Sequence, residues 1–401
     1  MRMSARPQNV HQARLLRLLR DEGPRSRAEL GDVVRLSRSK LAVELDRLVE
    51  LGLVEGAGLA ASRGGRPSGI VRLSPRLRFV AFDIGATSID VAVTDGELEV
   101  LGHVGEQCDV RQGATVVLDR ALDLLGKLRD EGLIPQVHGT GIGVPGPVSF
   151  RDGMPVVPPI MPGWDRFPVR DAIGQELGCP VLVDNDVNLM ALGELHAGLA
   201  RSVDDFLLVK IGTGIGCGIV VDGAIYRGVS GSAGDIGHIR VDGAQSGKSP
   251  ICACGNAGCL EAFFGGAALA RDASAAAGSG ESPQLAALLE THGALTAEHV
   301  GEAAAAGDPV AVRLIREGGR HVGQVLAGLV SFFNPGLVII AGGVAGLGHA
   351  LLAEIRSVVY RRSAPLATGN LPIVLSELAG TAGVVGGARL ISDHVFSYTA
   401  A

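Results

Sequence analysis

Apolar residues recur at helical spacing three times in the first fifty positions, each time bounded by punctuation. Val10, Ala13, Leu15, Leu16, Leu18 and Leu19 form a stripe that stops near Gly23-Pro24, a pair that ends helices. Ser26-Arg27-Ala28-Glu29 has the form of a capping box, in which Ser26 bonds the Glu29 amide and Glu29 reaches back. Leu30, Val33 and Val34 are then expected to face inward, and this second helix to end near Leu36. Ser37 predicts the cap of a third helix whose Leu41, Leu45 and Leu48 share one face, which leaves Arg38, Ser39 and Lys40 exposed on its first turn. Leu53-Val54 and Ile70-Val71-Arg72-Leu73 can pair as a hairpin around the basic loop Ser62-Arg63-Gly64-Gly65-Arg66-Pro67. Three short helices and such a hairpin are the pattern of a winged helix-turn-helix, in which the start of the second motif helix meets base edges and nearby cations meet phosphates. Arg38, Ser39, Lys40, Arg63 and Arg66 are the expected DNA-binding residues; a three-helix protein-interaction module with a solvated basic face is the blander alternative.

After Ser74-Pro75 the period changes. Phe79 to Phe82 reads as a buried strand, Asp83-Ile84-Gly85-Ala86-Thr87-Ser88 as a polar tip, and Ile89 to Val93 as the returning strand. Amides and a hydroxyl at such a tip bind phosphate, and Asp83 can hold a hydrated Mg²⁺. Phe206 to Ile211, Gly212-Thr213-Gly214-Ile215-Gly216 and Gly218 to Val221 repeat the arrangement, and Gly342-Gly343 follows the strand Val338 to Ala341. One such loop is as readily an ordinary glycine turn. Three together suggest nucleotide-binding roles for Asp83, Gly85, Thr87, Gly212, Thr213, Gly214 and Gly342. The most apolar stretch, Leu326 to Leu347, is interrupted by Asn334-Pro335-Gly336, so a helix, a turn and a buried strand are expected there and not a membrane span.

Composition changes this picture in three ways. The 401 residues are too many for one ordinary core, and 47% hydrophobic against 19% charged residues excludes disorder over most of the chain. With aromatics at 3%, the interior must be built from Leu, Val, Ile and Ala. The net charge of −6 conceals an asymmetry, because residues 1–78 carry +8 and the remainder −14. A basic module on an acidic body is the footprint of nucleic-acid binding by one domain only. No apolar segment of the signal-peptide kind follows Met1 to Asn9, so a cytoplasmic protein without a membrane partner is expected. Six cysteines in such a compartment do not read as a disulfide framework, and three of them crowd between Cys252 and Cys259, which suggests metal.

Asp83-x-Gly-x-Thr87, Gly143-Val-Pro145-Gly146-Pro147, Asp184-Asn185-Asp186-Val-Asn188, Gly212-Thr-Gly214, and the run from Gly234-Asp235-Ile-Gly237-His238 through Cys252-x-Cys254-Gly255-x-x-Gly258-Cys259-Leu260-Glu261 resemble the ROK family (repressors, open reading frames, kinases) of the actin-like sugar-kinase superfamily. The resemblance implies an α/β body of two ribonuclease-H-like lobes flanking a cleft near residues 184–188, preceded by the winged helix-turn-helix: a DNA-binding domain over 1–75 and a sugar-kinase-like domain over 78–401. It implies that Asn185, Asp186, Asp235, His238 and Glu261 bind sugar hydroxyls. In a kinase, Asp186 would be the catalytic base that accepts the hydroxyl proton as the phosphoryl bond forms. The alternative for Asp186 is an Asx-type cap after the strand Val181 to Val183.

His238, Cys252, Cys254 and Cys259 supply one imidazole and three thiolates, the ligand set of a closed structural zinc site with no position left for water; free reduced cysteines are the alternative. Cys108, Cys179 and Cys217 read as packing residues. Two positions depart from the family's kinases: Ala86 replaces a glycine, and Asp235 replaces a glutamate, which shortens the carboxylate arm by one methylene. Together with the basic module, these favour a sugar-responsive transcriptional regulator, a repressor, acting on operator DNA as a homodimer or homotetramer with a sugar or sugar phosphate as effector. An ATP-dependent, glucokinase-like sugar phosphotransferase with a DNA-binding extension is the alternative, and only then would ATP and Mg²⁺ be cofactors.

Overall fold

The computed structural model describes residues 6–59, 68–241, 249–347 and 349–398. They form two compact units, one from the chain up to Val156, Pro162–His196 and Gly383 onward, the other from Val157–Met161 and Ala197–Ala382.

The first unit opens with α1 (Val10–Glu22), whose N-cap Asn9 accepts the amides of His11 and Gln12 and which ends on Gly23 at φ 75°. Strand β1 (Arg25–Ser26) leads into α2 (Arg27–Val34), where both bonds of the capping box are present: Glu29 N–H to Ser26 Oγ at 3.3 Å and Ser26 N–H to Glu29 Oε2 at 2.9 Å. Ser37 caps α3 (Arg38–Glu50) through the Lys40 amide. Strand β2 (Val54–Leu59) pairs antiparallel with β3 (Gly69–Leu73), whose other edge takes β1. This is a winged helix.

Two inward assignments are corrected. Val10 is exposed because, at about 100° per residue, it falls opposite Leu19 on α1. Val33 is exposed because it lies about 80° off the line between Leu30 and Val34. Gln12 and Arg20, polar residues of α1, are buried.

The chain continues through β4 (Phe79–Ile84), β5 (Ser88–Thr94), β6 (Val100–Gln107), α4 (Ala114–Asp130), β7 (Gly139–Val144), the small hairpin β8 (Val148–Ser149) and β9 (Met154–Pro155), α5 (Val169–Leu177), β10 (Val181–Asn185) and α6 (Asp186–Ala197). The sheet order is β10-β7-β4-β5-β6, with β4, β5 and β6 antiparallel and β7 and β10 parallel to β4. With apolar residues spread around its circumference, α6 is buried from Asp186 to Glu194, its Asp186, Asn188 and Glu194 included.

The second unit holds β11 (Phe206–Ile211), β12 (Ile215–Val221), β13 (Ala224–Ile225), α7 (Leu260–Phe264), α8 (Gly266–Gly278), α9 (Pro283–His292), α10 (Ala297–Ala305), α11 (Pro309–Phe333), β14 (Leu337–Ala341), α12 (His349–Arg362), α13 (Pro365–Thr368) and β15 (Ile373–Leu375). Its sheet order, β13-β12-β11-β14-β15, repeats the plan of the first: a meander, then two strands parallel to its first member. The stretch Leu326 to Leu347 is the end of α11, a turn at Asn334 (φ 55°) and buried β14. Among the described residues no helix is long and apolar enough to cross a membrane.

The last helix, α14 (Ala382–Val395), belongs from Gly383 onward to the first unit. Its Ala388, Ile391 and Val395, with Phe396, enter the apolar cluster that also holds Leu15, Leu16, Leu19, Leu45 and Leu48 of the winged helix and Phe79 of β4. Phe79 and Phe396 meet edge to face with centroids 5.7 Å apart. The winged helix and the first sheet therefore share one core.

Candidate functional site

In the first unit the parallel strands β4, β7 and β10 end in register, with Asp83 beside Gly143 and Gly143 beside Asp184. Ligands of open α/β sheets bind outside such carboxyl ends. A Cβ at Gly143 would stand 3.3 Å from Asp186 Cα and 3.4 Å from Asp83 Oδ1, so the two aspartates flank this glycine.

Asn185 donates through Nδ2 to the Gly146 carbonyl at 2.9 Å and accepts the Val187 amide on Oδ1 at 2.9 Å. Asp186 Oδ1 accepts the same amide at 2.9 Å. Asp184 accepts the Asn185 amide and the Asn188 side-chain amide. The Asx turn at the end of β10 is therefore made by Asn185, whose Oδ1 takes the amide two residues on, whereas Asp186 takes the amide next to it. Asp186 opens α6 as a buried carboxylate at a helix N-terminus, where the aligned peptide dipoles favour negative charge.

The phosphate-type loops are glycine-rich partly for packing reasons. At the β4–β5 tip, Gly85 N–H bonds the Ser88 carbonyl at 2.8 Å and Thr87 is exposed. Ala86 has no left-handed backbone, so its extra methyl brings no strain. At the β11–β12 tip, Gly212 N–H bonds the Gly214 carbonyl, and Gly266 N–H bonds the Gly212 carbonyl at 2.7 Å. A Cβ at Gly214 would overlap the Glu261 carboxylate, one at Gly265 would crowd the Thr213 carbonyl, and one at Gly342, which sits at φ 92°, would crowd the Ile211 carbonyl.

Also in the second unit, His238, Cys252, Cys254 and Cys259 bring their ligand atoms within 4.8 Å of one another. His238 Nδ1 lies 3.5 Å from Cys252 Sγ, and Cys254 Sγ lies 3.7 Å from Cys259 Sγ. Four ligands at about 2.3 Å from a tetrahedral centre stand about 3.7 Å apart, so the geometry suits a metal ion of that kind. The loop is shaped by Cys252 N–H to the Asn256 carbonyl and by Gly255 and Gly258 in left-handed conformations. The backbone N–H of Asn256 lowers the Cys254 thiol to about 7, whereas burial pushes Cys252 up and Cys259 to about 12. Glu261, on the first turn of α7, accepts the Ile215 amide on Oε2 at 3.0 Å, and its Oε1 lies 4.0 Å from Cys252 Sγ. Asp235 Oδ1 stands 3.8 Å from His238 Nε2, the ring nitrogen that does not face Cys252. The structure thus gathers Asp235, His238 and Glu261 with the cysteines in the second unit, while Asn185 and Asp186 lie in the first. Cys108 and Cys217 are buried, and Cys179 Sγ lies 3.4 Å from the Thr140 hydroxyl.

Arg38, Ser39 and Lys40 are exposed on the first turn of α3; Arg63 and Arg66 lie outside the described residues. Glu44 escaped the sequence reading, as did the burial of Gln12 and Arg20. Glu44 is buried in α3 and accepts bonds from Asn9 Nδ2 at 2.9 Å and Gln12 Nε2 at 2.8 Å, fastening that helix to α1. Its signal was a charge three positions after Leu41 and four before Leu48, on the inward face of α3.

A winged helix ahead of two sheets of one plan, with a Cys/His cluster in the second unit, defines an actin-like sugar-kinase fold carrying an N-terminal helix-turn-helix. The chain belongs to the ROK family, whose model matches residues 79–394. It is similar over 96% of both chains, at 27% identity and a TM-score of 0.81, to the crystal structure of a ROK family transcriptional regulator, a homologue of the E. coli Mlc protein. It is 28% identical over 392 residues, 97% of each chain, to the xylose repressor of Caldicellulosiruptor bescii. A ROK family glucokinase from Streptomyces griseus, solved with glucose and AMPPNP, is 32% identical with a TM-score of 0.68, covering 79% of this chain and 98% of that one.

Proposed function

We propose that the chain is a sugar-responsive transcriptional repressor. Residues 1–75 form its DNA-binding domain and 78–401 its effector-binding body. The observation that carries this reading is the winged helix: it extends the likeness to regulators to nearly the whole chain, while the glucokinase likeness stops at about four-fifths. Arg38, Ser39 and Lys40 enter the major groove and the wing arginines Arg63 and Arg66 hold phosphates. A homodimer or homotetramer presents paired recognition helices to half-sites about 10–10.5 base pairs, or a multiple, apart.

The effector is a sugar or sugar phosphate bound by Asn185, Asp186, Asp235, His238 and Glu261. Carboxylates and amides with fixed partners suit adjacent hydroxyls, since a pre-oriented acceptor loses little freedom on binding. The metal is zinc, held by His238, Cys252, Cys254 and Cys259 in a closed site that fixes geometry around Glu261.

A second reading, an ATP-dependent sugar kinase, is favoured by buried Asp186 at the carboxyl end of β10 and by the loops holding Asp83, Gly85, Thr87, Gly212, Thr213, Gly214 and Gly342. ATP consumption across a sugar panel separates the two. Sugar-dependent turnover without operator binding would select the kinase, and operator binding released or strengthened by sugar, without turnover, the regulator.

A further inference from the structure

We propose that α6 and α14 form a relay carrying occupancy of the sugar residues Asn185 and Asp186 to α1 of the DNA-binding module, with Arg389 as its coupling residue. This inference rests on the sugar-responsive regulator reading.

The relay begins at Asp186, the first residue of α6, and ends about 15 Å along that helix at His196. His196 Nδ1 accepts a hydrogen bond from Arg389 Nη1 at 3.2 Å. Between these ends α6 and α14 pack backbone on backbone, for a Cβ at Gly386 would overlap the Leu189 carbonyl and crowd the Gly193 amide. On the neighbouring turn a Cβ at Gly141 of β7 would overlap the Gly387 carbonyl, and at the helix start one at Gly383 would overlap the Asp83 carboxylate. Helices in such contact have no compressible side chains between them, so a displacement of one is transmitted to the other.

The far end of α14 grips α1 with charge. Arg389 Nη1 reaches Asp21 Oδ1 at 3.1 Å and its Nε reaches Asp393 Oδ2 at 3.0 Å. Asp393 Oδ1 in turn holds Arg20, whose side chain is fully buried, at 2.8 Å, and Arg20 also bonds Ser392 Oγ at 3.0 Å and Asp21 at 2.8 Å. Arg6 and His394 add a bond at 2.8 Å. Arg389 is therefore shared between the end of α6 and the first helix of the DNA-binding module. Two of the points where the chain passes between its compact units, after His196 and before Gly383, adjoin this pair of helices. A shift of α6 carries α14 with it, and the His196 bond holds the Arg389 guanidinium to that movement, so Arg389 draws on Asp21 and Asp393 and re-aims α1 with α3, which Glu44 fastens to it.

The test is a thermodynamic cycle on the full chain, using a duplex selected by the wild type from a random library and D-xylose, D-glucose and glucose 6-phosphate as probes. His196→Ala, which leaves the Arg20, Asp21 and Asp393 contacts in place, and Arg389→Met are compared with wild type. Expected are sugar affinity without DNA, and operator affinity without sugar, within about threefold of wild type, while the sugar-induced change in operator affinity, about 5–150-fold in wild type, falls toward unity. Hydrogen exchange should show the sugar altering α1 amides in wild type and not in His196→Ala. Should Arg389→Met fail to fold, His196→Ala alone decides. Full sugar response in a folded His196→Ala overturns the relay and leaves the regulator standing. A wild type that binds its duplex but answers to none of the sugars overturns both.

Discussion

Glu261 accepts the main-chain N–H of Ile215 at 3.0 Å while its other carboxylate oxygen lies 4.0 Å from the Cys252 sulfur. One side chain thus lies between the Cys/His cluster and the start of β12. About one zinc per chain is expected on elemental analysis, falling toward zero in Cys254→Ser and Cys259→Ser together with a lower melting temperature. Unchanged zinc and melting behaviour in both variants would show that the cysteines hold no metal.

Asp186→Asn and Glu261→Ala should each weaken sugar binding by about tenfold to a hundredfold, the range of a lost charge-assisted hydrogen bond. Operator affinity without sugar should stay near wild type, because Asp186 opens α6 and Glu261 lies on α7, both in the proposed effector-binding body. Calorimetry with sugar and operator titration on the same variants check this, and parallel loss of both activities would contradict it.

Burial pushes the pKa values of His138, His321 and His394 below the ordinary 6.5. Arginine has no acceptor, so the His394 Nε2 facing Arg6 carries no proton, and His138 Nδ1, which accepts the Arg78 amide, carries none either. A histidine lowered in the fold adds stability that is complete above 6.5 and lost as pH falls through the folded value. Burial opposes the ionised forms of Glu44 and Asp393, but the Asn9 and Gln12 amides and the arginines Arg20 and Arg389 outweigh it and hold both carboxyls below their ordinary range. Their contribution disappears only below about 4. Urea midpoints should therefore decline in two stages, a first below pH 6.5 and a second in the carboxyl range. His394→Gln should flatten the first, and an unaltered first stage in that variant would exclude its part in it.

Glu44→Ala leaves the Asn9 and Gln12 donors without this partner and should cost about 1–3 kcal/mol of stability. Chemical denaturation measures it; a loss under about 0.5 kcal/mol would mean that water replaces the carboxylate without penalty.

The three helices and the wing strands were legible because their bounds carry their own chemistry, Ser26 and Ser37 as caps and Gly23 as a stop. Val10 and Val33 misled because apolar character was counted without its angle around the helix. Pairing of the two sheets could not be read, since strand order depends on contacts far apart in sequence, and the common plan of β4–β10 and β11–β15 appears only in the strand pairing. The Cys/His cluster was visible from donor type and spacing. Its link to Ile215 through Glu261 was not, nor was the burial of Arg20, for a charged residue announces burial only through partners such as Asp393, distant in the chain.

Operator titration by fluorescence anisotropy, with and without each sugar, tests the account most directly. Arg38, Lys40, Arg63 and Arg66, the proposed DNA-binding cations, should release counterions on binding, so affinity should fall steeply with salt. A cognate sugar should then change it about 5–150-fold, with release of the DNA as the expected direction. Absent or salt-insensitive DNA binding, or binding that no sugar or sugar phosphate shifts, would contradict the account.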